Sequence, residues 1–236
     1  MPDTPCSPDS PRRISLIGGL GVDPMVRLSL PARRLLAFLA LRGQPVLRRV
    51  AASNLWPDLP EDASRTNLRR ALWQVPDGWI AGLGEELLLQ AHCDMPAAHA
   101  AAVRALGGEA IGFVEIELLC GDLLPGWNEE WLMPAQDAFR LLRVQALEAA
   151  CRNLTALGQV ALAVHAGTAA VAAEPLCESA AEALIDAHLA QGNRFHAVQC
   201  YTLLAERLDE ELGVAPNTAL QQRLTSLNAC ARPRAS

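Results

Sequence analysis

Residues 60–75 read PEDASRTNLRRALWQV, and this stretch decides the fold of the N-terminal part of the chain. It predicts a helix that begins between Pro60 and Asp62, with Asp62 capping free N–H groups, and that runs to Val75. At 3.6 residues per turn, the inward face of this helix consists of Ser64, Leu68, Ala71, Leu72 and Val75. This face is expected to pack on a core.

The opposite face of the same helix carries the candidate functional side chains, namely Arg65, Thr66, Arg69, Arg70 and Trp73. Arg65 and Arg69 are four residues apart, so their guanidinium groups project side by side. Guanidinium groups beside a short polar side chain are typical donors of hydrogen bonds to guanine edges and phosphates in a DNA groove. A solvated helix face is the alternative interpretation of such an arginine run.

The elements around this helix favour the first interpretation. Two helices are predicted before it, Pro31–Arg42 stopped by Gly43, and Leu47–Trp56 with Val50, Leu55 and Trp56 inward and Pro57 ending it. Short strands are predicted at 14–17, 26–30, 79–82 and 86–90, the last two forming a hairpin around Gly84. This order predicts a winged helix-turn-helix, with Arg48 and Arg49 at the start of its second helix near the DNA backbone.

The second half of the chain differs in character. From Ala97 onward it is rich in alanine and leucine, and apart from a doubtful strand at Ile111–Ile116 it is predicted to be stacked helices. Gly158 and Gly192 are separated by 34 residues, and so are Ala163 and Ala197. This is the tetratricopeptide period, in which the glycine opens a tight turn and the alanine permits close helix packing. Such repeats bind proteins or peptides more often than they catalyse reactions.

Charge and composition exclude several classes of protein. Residues 1–79 carry 11 Arg against 7 acidic residues, whereas residues 80–236 carry 9 against 19, so the segments have net charges of +4 and −10. The positive excess favours an anionic partner for the N-terminal part, and chance variation in a chain that uses arginine freely is the alternative interpretation. The chain has no lysine, which excludes a P-loop ATPase and Schiff-base chemistry.

The longest apolar run of the chain, Leu35–Leu41, is far too short to span a membrane, and a cytoplasmic protein is expected.

No catalytic, cofactor-binding or metal-ligating residue is predicted. The seven cysteines are at least 23 residues apart, which gives no local zinc or redox motif. The triplet 92–94, His-Cys-Asp, could begin a metal site or a Cys-His dyad, but the other histidines lack ligand spacing. The glutamate pairs 115/117 and 129/130 are predicted to be solvated faces, and Trp127 and Trp131 a packing pair at a helix entry.

Four segments carry a resemblance to a known family, SLPARRLLAFLALRGQPV (29–46), NLWPDLPEDASRTNLRRAL (54–72), GDLLPGWNEEWL (121–132) and the stretch 174–220 with DEELGVAP at 209–216. Together they resemble the SARP family, the antibiotic regulatory proteins of actinobacteria, and related regulators with a bacterial transcriptional activator domain. The resemblance covers about residues 12–228. GDLLPGW and DEELGVAP are its most specific parts.

The resemblance implies a mainly α protein with an OmpR-type winged helix-turn-helix followed by an all-helical tetratricopeptide-like domain. We therefore predict a disordered leader at 1–11, a DNA-binding domain at 12–93 and a bacterial transcriptional activator domain at 95–230. Members of the family bind direct repeats upstream of a promoter and recruit RNA polymerase. The expected partners are double-stranded DNA, RNA polymerase and a second copy of the chain in a homodimer, without a membrane, and the expected location is the nucleoid.

Two hypotheses follow from these observations. The first is a sequence-specific transcriptional activator whose leading DNA contacts are Arg65, Arg69 and Arg70. The second is a protein-interaction adaptor whose winged helix no longer binds DNA. The second is favoured by the net charge of −6 and by the segment 73–77, which ends the basic helix earlier than in the relatives.

Overall fold

The structure is a computed structural model that describes residues 11–229. The leader predicted to be disordered therefore lies outside the described residues except for Pro11, and Cys6 and Cys230 lie outside them too. Contacts divide the chain into two units. Within the described residues, the N-terminal unit comprises residues 11–97 and 121–139, and the helical unit comprises residues 98–120 and 140–229.

The fold is mainly helical, with short strands confined to the N-terminal part. The strands are β1 (Arg13–Ser15), β2 (Gly21–Asp23), β3 (Val46–Leu47), β4 (Ile80–Leu83), β5 (Glu86–Leu89) and β6 (His92–Cys93). The helices are α1 (Leu30–Arg42), α2 (Arg48–Leu55), α3 (Glu61–Trp73), α4 (Met95–Leu106), α5 (Phe113–Cys120), α6 (Met133–Ala156), α7 (Val160–Ala173), α8 (Glu178–Ala190), α9 (Arg194–Leu212) and α10 (Thr218–Ala229).

The N-terminal unit contains two three-stranded sheets. In the first sheet β1 lies between β2, which is antiparallel to it, and β6, which is parallel to it. The second sheet has the order β3-β5-β4 and is antiparallel throughout. The β4–β5 hairpin turns at Gly84, as the sequence predicted. The second sheet joins this hairpin to β3, which directly precedes α2.

A single apolar core holds α1, α2, α3 and the second sheet together. Its fully buried members are Leu35, Phe38, Leu39, Val46, Ala51, Ala52, Leu55, Leu68, Ala71 and Leu87. α1 is predicted almost to the residue, because Ser29 caps its start, accepting from the Ala32 N–H, and Gly43 ends it. The inward face predicted for α3 is also confirmed, since its members are buried or half-buried.

Residues 121–139 belong to the N-terminal unit, although we placed them in the second domain from the sequence. The backbone N–H of Gly18 donates to the Asp122 carbonyl at 2.8 Å, and that of Leu124 donates to the Leu16 carbonyl at 2.8 Å. A side chain added at Gly121 would lie 2.6 Å from Ile17, so this approach requires glycine. The GDLLPGW motif thus packs beside β1.

Several local predictions are wrong. The second strand is Gly21–Asp23 rather than 26–30, because Ser29 and Leu30 begin α1. The residue before α3 is Pro60 rather than Asp62, and within the described range no side chain caps that helix. Val50, predicted to face inward, is 36% exposed. The doubtful strand at 111–116 is instead largely part of α5, which buries Ile116 and Leu119.

The helical unit has the features that the 34-residue period predicted. Gly158 precedes α7 with φ of 73°, and Gly192 precedes α9 with φ of 79°, a conformation that glycine adopts without steric cost. Ala163 and Ala197 are fully buried in the helices that follow. A core formed by α8, α9 and α10 buries Ala181, Ile185, Ala197, Leu204, Leu208 and Leu220.

The tryptophans are unevenly distributed between the units. All five, at positions 56, 73, 79, 127 and 131, lie in the N-terminal unit, whereas the one tyrosine, Tyr201, lies in the helical unit. Trp79 is buried, and Trp131 contacts the Phe38 ring edge to face with 5.2 Å between ring centroids.

Candidate nucleic-acid interface

Helix α3 is fixed to the N-terminal unit through one side. Leu68 and Ala71 are buried in the core. The Ser64 hydroxyl is buried as well, and it lies within donating distance of the carbonyl oxygens of Trp56 (3.1 Å) and Leu59 (3.2 Å). These contacts attach α3 to the turn that follows α2, so the direction of its outer face is set by packing.

The outer face of α3 is open to solvent. Arg69 and Arg70 are exposed, and Trp73, at the end of the helix, is 91% exposed although it is a large apolar residue. The sequence predicted the residues of this face, because the inward positions alone satisfy the core, but α3 ends at Trp73 rather than at the predicted Val75. An exposed tryptophan next to arginines is a feature of surfaces that contact another molecule.

Two contacts organise the polar groups on this face. The Thr66 hydroxyl donates to the Asp62 carbonyl at 2.9 Å and accepts from the Arg69 guanidinium at 3.2 Å. Arg65 forms an ion pair with Glu61, four residues earlier, at 2.6 Å, and its side chain is 53% exposed. A surface ion pair of this kind contributes little, about 0.3–0.5 kcal/mol, so a phosphate or a base could displace it.

The start of α2 adds two further arginines. The backbone N–H of Arg48 donates to the Glu85 carbonyl at 2.8 Å, and its side chain donates to the Gly84 carbonyl at 3.2 Å. Arg48 is therefore half-buried and attached to the tip of the β4–β5 hairpin, whereas Arg49 is exposed. The attachment of Arg48 could not be predicted from the sequence, because it depends on the pairing of β3 with β5.

The structure brings most of the predicted contact residues together around two depressions. The larger, of about 750 Å³, is lined by Leu47, Arg48, Arg49, Asp62, Arg65, Thr66, Leu68, Arg69 and Glu85. The smaller, of about 310 Å³, is lined by Arg48, Arg69, Leu72, Trp73, Val75, Pro76, Asp77, Gly78, Ile80, Gly82 and Leu87. Arg70 lies on the same helix outside both linings. Sequence reasoning missed the hairpin residues Gly82 and Glu85, although the glycine-rich turn was a signal for them.

Positive charge exceeds negative charge on this surface. Five arginines, at positions 48, 49, 65, 69 and 70, face four carboxylates, those of Glu61, Asp62, Asp77 and Glu85. The Glu61 carboxylate, which pairs with Arg65, lowers the positive potential at Arg65 more than at Arg69 or Arg70. The arrangement suits an anionic polymer at moderate affinity.

The triplet His92-Cys93-Asp94 has a structural role. The Asp94 carboxylate accepts from the backbone N–H groups of Leu16 and Ile17, each at 3.0 Å. The His92 N–H donates to the Arg12 carbonyl as part of the pairing of β6 with β1. Burial raises the pKa of the Cys93 thiol to about 11, so this thiol stays protonated and is a poor nucleophile.

The prediction of solvated glutamate pairs is wrong for Glu115 and Glu129, which are half-buried, and is confirmed for Glu117 and Glu130, which are exposed. Glu115 accepts from the Gly112 N–H at 2.8 Å and pairs with Arg104, and Glu117 lies 2.6 Å from a nitrogen of His165. Glu129 pairs with Arg34 at 2.6 Å, and Glu130 is exposed. Long-range partners hold these carboxylates, which adjacent positions in the sequence do not reveal.

The same fold occurs in a solved structure, "Mycobacterium tuberculosis EmbR in complex with low affinity phosphopeptide". The TM-score is 0.62 and the sequence identity is 20%. The match covers 94% of this chain, and the chain spans 66% of the length of that EmbR chain. At this identity the likeness establishes the fold alone. No curated protein matches the sequence.

The family assignment defines the class of protein, a transcriptional regulator. The bacterial transcriptional activator domain matches residues 89–227, which is more than half of the chain. The chain belongs to the family of the bacterial transcriptional activator domain. This assignment agrees with the SARP-type resemblance of the sequence. Across residues 11–229, no helix is both long enough and apolar enough to cross a membrane.

Proposed function

We propose that this chain is a sequence-specific transcriptional activator that binds double-stranded DNA through its N-terminal unit. In this proposal α1, α2, α3 and the β4–β5 hairpin form an OmpR-type winged helix-turn-helix, α3 is the recognition helix and the hairpin is the wing. The observation that carries the proposal is the outer face of α3, where Arg65, Arg69 and Arg70 are exposed while the inner face is fixed in the core.

The dimensions of α3 fit a major groove. Its 13 residues make a helix about 20 Å long, and the major groove of B-DNA, about 12 Å wide, admits one α-helix. Arg65, Thr66 and Arg69 lie in the middle of α3, where side chains reach base edges. Arg70 and Trp73 lie towards its C-terminal end, where they would contact the sugar-phosphate backbone.

The second group of contacts would come from Arg48 and Arg49. Arg48 lies between the start of α2 and the tip of the hairpin, so it can contact phosphate while it fixes the wing. Arg49 is exposed on the first turn of α2, next to free N–H groups that favour an anion. Glu61 would release Arg65 when a guanine or a phosphate replaces it.

The helical unit would supply the contacts that turn binding into activation. Its tetratricopeptide-like repeats present helix faces of the kind that bind proteins. We assign to this unit the recruitment of RNA polymerase and self-association on promoter-proximal direct repeats, as the SARP resemblance implies. The protein would then act at the nucleoid.

The experiment compares the full chain with Arg65→Ala, Arg69→Ala and the double variant in fluorescence polarisation with promoter-proximal fragments of the genome. Each arginine that reads a base should weaken specific binding by about 1–3 kcal/mol, and the double variant should bind specific and unrelated DNA equally. Arg207→Ala, an exposed arginine on α9, is the matched control. Unchanged specific binding by the double variant would exclude α3 as the recognition helix.

The alternative function is a protein-interaction adaptor. The carboxylates of Glu61, Asp62 and Glu85 beside the arginines, together with the exposed Trp73, are the observations that favour it. If this is the function, the wild-type chain would retard no DNA fragment in a gel-shift assay at low or moderate salt. Retardation of promoter-proximal fragments by the wild-type chain that is lost in the double variant supports the activator.

A further inference from the structure

A cluster of three potential metal ligands lies in the helical unit, away from the proposed DNA-binding surface in the sequence. Glu117 and Cys120 are three residues apart on α5, so they share a face of that helix. His165 extends from α7. The ligand atoms of Glu117, Cys120 and His165 all lie within 4.8 Å of one another.

The orientation of the His165 ring is fixed by two neighbours. Phe113, one turn before Glu117, stacks on the imidazole with 5.3 Å between ring centroids and 19° between planes. The Nε2 atom lies 2.6 Å from a carboxylate oxygen of Glu117. The imidazole ring is therefore held with Nε2 towards the cluster, and an ion would replace the contact between this nitrogen and the Glu117 carboxylate.

The thiol of Cys120 is held at the end of α5. The guanidinium of Arg143 donates to the Cys120 carbonyl at 2.8 Å and lies also 3.4 Å from the Leu119 carbonyl. Burial, followed by the charge of Glu117, raises the pKa of this thiol, while Arg143 lowers it. A bound divalent cation would supply the positive charge that the thiolate requires.

We propose that Glu117, Cys120 and His165 form a binding site for Zn²⁺. A thiolate, an imidazole and a carboxylate are the ligand types that zinc combines, whereas Mg²⁺ and Ca²⁺ prefer oxygen ligands alone. Ligand atoms on tetrahedral zinc are about 3.3–3.8 Å apart, so side-chain shifts of about 1 Å complete the site. On binding, the thiol proton leaves to solvent, the proton between His165 Nε2 and the Glu117 carboxylate is given up to solvent, and the neutral imidazole carries its one proton on Nδ1, so that Nε2 and the carboxylate both face the ion.

Three protein ligands leave the fourth position of the ion open. Glu117 is exposed, and Cys120 and His165 are half-buried, so solvent or an external ligand can reach that position. The site would also link α5 to α7 within the helical unit. Zinc binding should therefore raise the melting temperature of that unit, and above saturation the stabilisation should grow with the logarithm of the free metal concentration.

The test uses the full chain without an affinity tag, titrated with Co²⁺ as a spectroscopic probe and then with Zn²⁺. The expected result is one Co²⁺ per chain with a thiolate-to-cobalt absorption band and the visible spectrum of tetrahedral coordination, both removed by Zn²⁺. Cys120→Ser should abolish the thiolate band. His165→Gln and Glu117→Gln should each weaken binding by at least about 100-fold, since even an indirect partner contributes 10- to 100-fold.

Two control variants keep the test specific. Cys177→Ser removes another half-buried thiol of the helical unit, and His196→Gln removes half of the stacked pair that His188 and His196 form. Both should bind Co²⁺ as the wild type does. A wild type without a thiolate band, or a band that persists in Cys120→Ser, would overturn the proposal. If Cys120→Ser does not fold, as judged by circular dichroism, His165→Gln decides in its place.

Discussion

Arg34 on α1 joins three parts of the N-terminal unit. One of its terminal nitrogens lies 2.6 Å from the Glu129 carboxylate and 2.7 Å from the Leu55 carbonyl. Its guanidinium also lies over the Trp56 ring, 5.9 Å from the centroid. The side chains of Arg34 and Glu129 are only 20% and 23% exposed, so water competes weakly for this pair.

Replacing Glu129 by Gln should destabilise the N-terminal unit. The change keeps the shape of the side chain but leaves the Arg34 charge half-buried without its counter-charge. We expect the free energy of unfolding to fall by about 1–3 kcal/mol. Denaturant unfolding followed by tryptophan fluorescence measures this change. Glu130→Gln, at an exposed neighbouring position, is the matched control, and an equal effect of both variants would show that the pair is not stabilising.

At the level of elements, α7 passes close to its neighbours through Gly167. A Cβ atom at this position would lie 2.8 Å from the Cys151 sulfur on α6 and 3.1 Å from Leu184 on α8. Three helices thus approach one another more closely than alanine would allow. Glycine in a helix interior costs about 1 kcal/mol of intrinsic helix stability, and the close packing offsets that cost.

Gly167→Ala should therefore destabilise the helical unit despite its better helix propensity. Overpacking costs about 1–3 kcal/mol against a propensity gain of about 1, so we expect a net loss of about 1 kcal/mol in thermal unfolding followed by circular dichroism. The double variant Cys151→Ala/Gly167→Ala should lose less than the sum of the single changes, because the sulfur is gone. Gly112→Ala, where a Cβ meets an atom only at 3.7 Å, should be neutral.

Much of the element order could be predicted from the sequence. Pro and Gly punctuation predicted α1, the end of α2 at Pro57 and the β4–β5 hairpin, and the 3.6-residue period separated the two faces of α3. These signals are local, so they do not depend on the rest of the chain. The arginines of the candidate interface were predicted in the same way, because they occupy the helix positions that do not face the core.

The remainder depends on contacts between distant residues. The run IGFVEIELLC at 111–120 is short and apolar, and such a run does not distinguish a strand from a buried helix. The strands β3 and β6 have two residues each and exist because of their partners β5 and β1. The zinc ligands were missed because His165 is 45 residues from Cys120, and only the packing of α5 with α7 brings them together.

At the scale of the whole molecule, charge is divided along the chain. The basic segment 1–79 has a net charge of +4 inside a protein whose total is −6. Five arginines lie around α3 and the start of α2, and on the proposed function two of them, Arg65 and Arg69, would read bases. The other three arginines, Arg48, Arg49 and Arg70, would each contact one phosphate.

DNA affinity should therefore depend only moderately on salt. With three phosphate contacts, the logarithm of the association constant should fall against the logarithm of salt concentration with a slope of about −3. Arg49→Ala should reduce the slope by about 1, whereas Arg65→Ala should lower affinity with little change in slope. Polarisation titrations at several salt concentrations measure both quantities. Identical slopes for Arg49→Ala and the wild type would remove Arg49 from the backbone contacts.

The uneven distribution of aromatic residues has a practical consequence. Because every indole ring lies in the half that we propose meets DNA, selective excitation of indole emission reads that half and ignores the other. Trp73, at 91% exposure, stands where a bound duplex would quench it, while the buried Trp79 would hardly respond. Trp73 emission would thus report DNA binding without an added dye. Replacing Trp73 by Phe would show how much of the quenching comes from this residue and how much from the other four tryptophans.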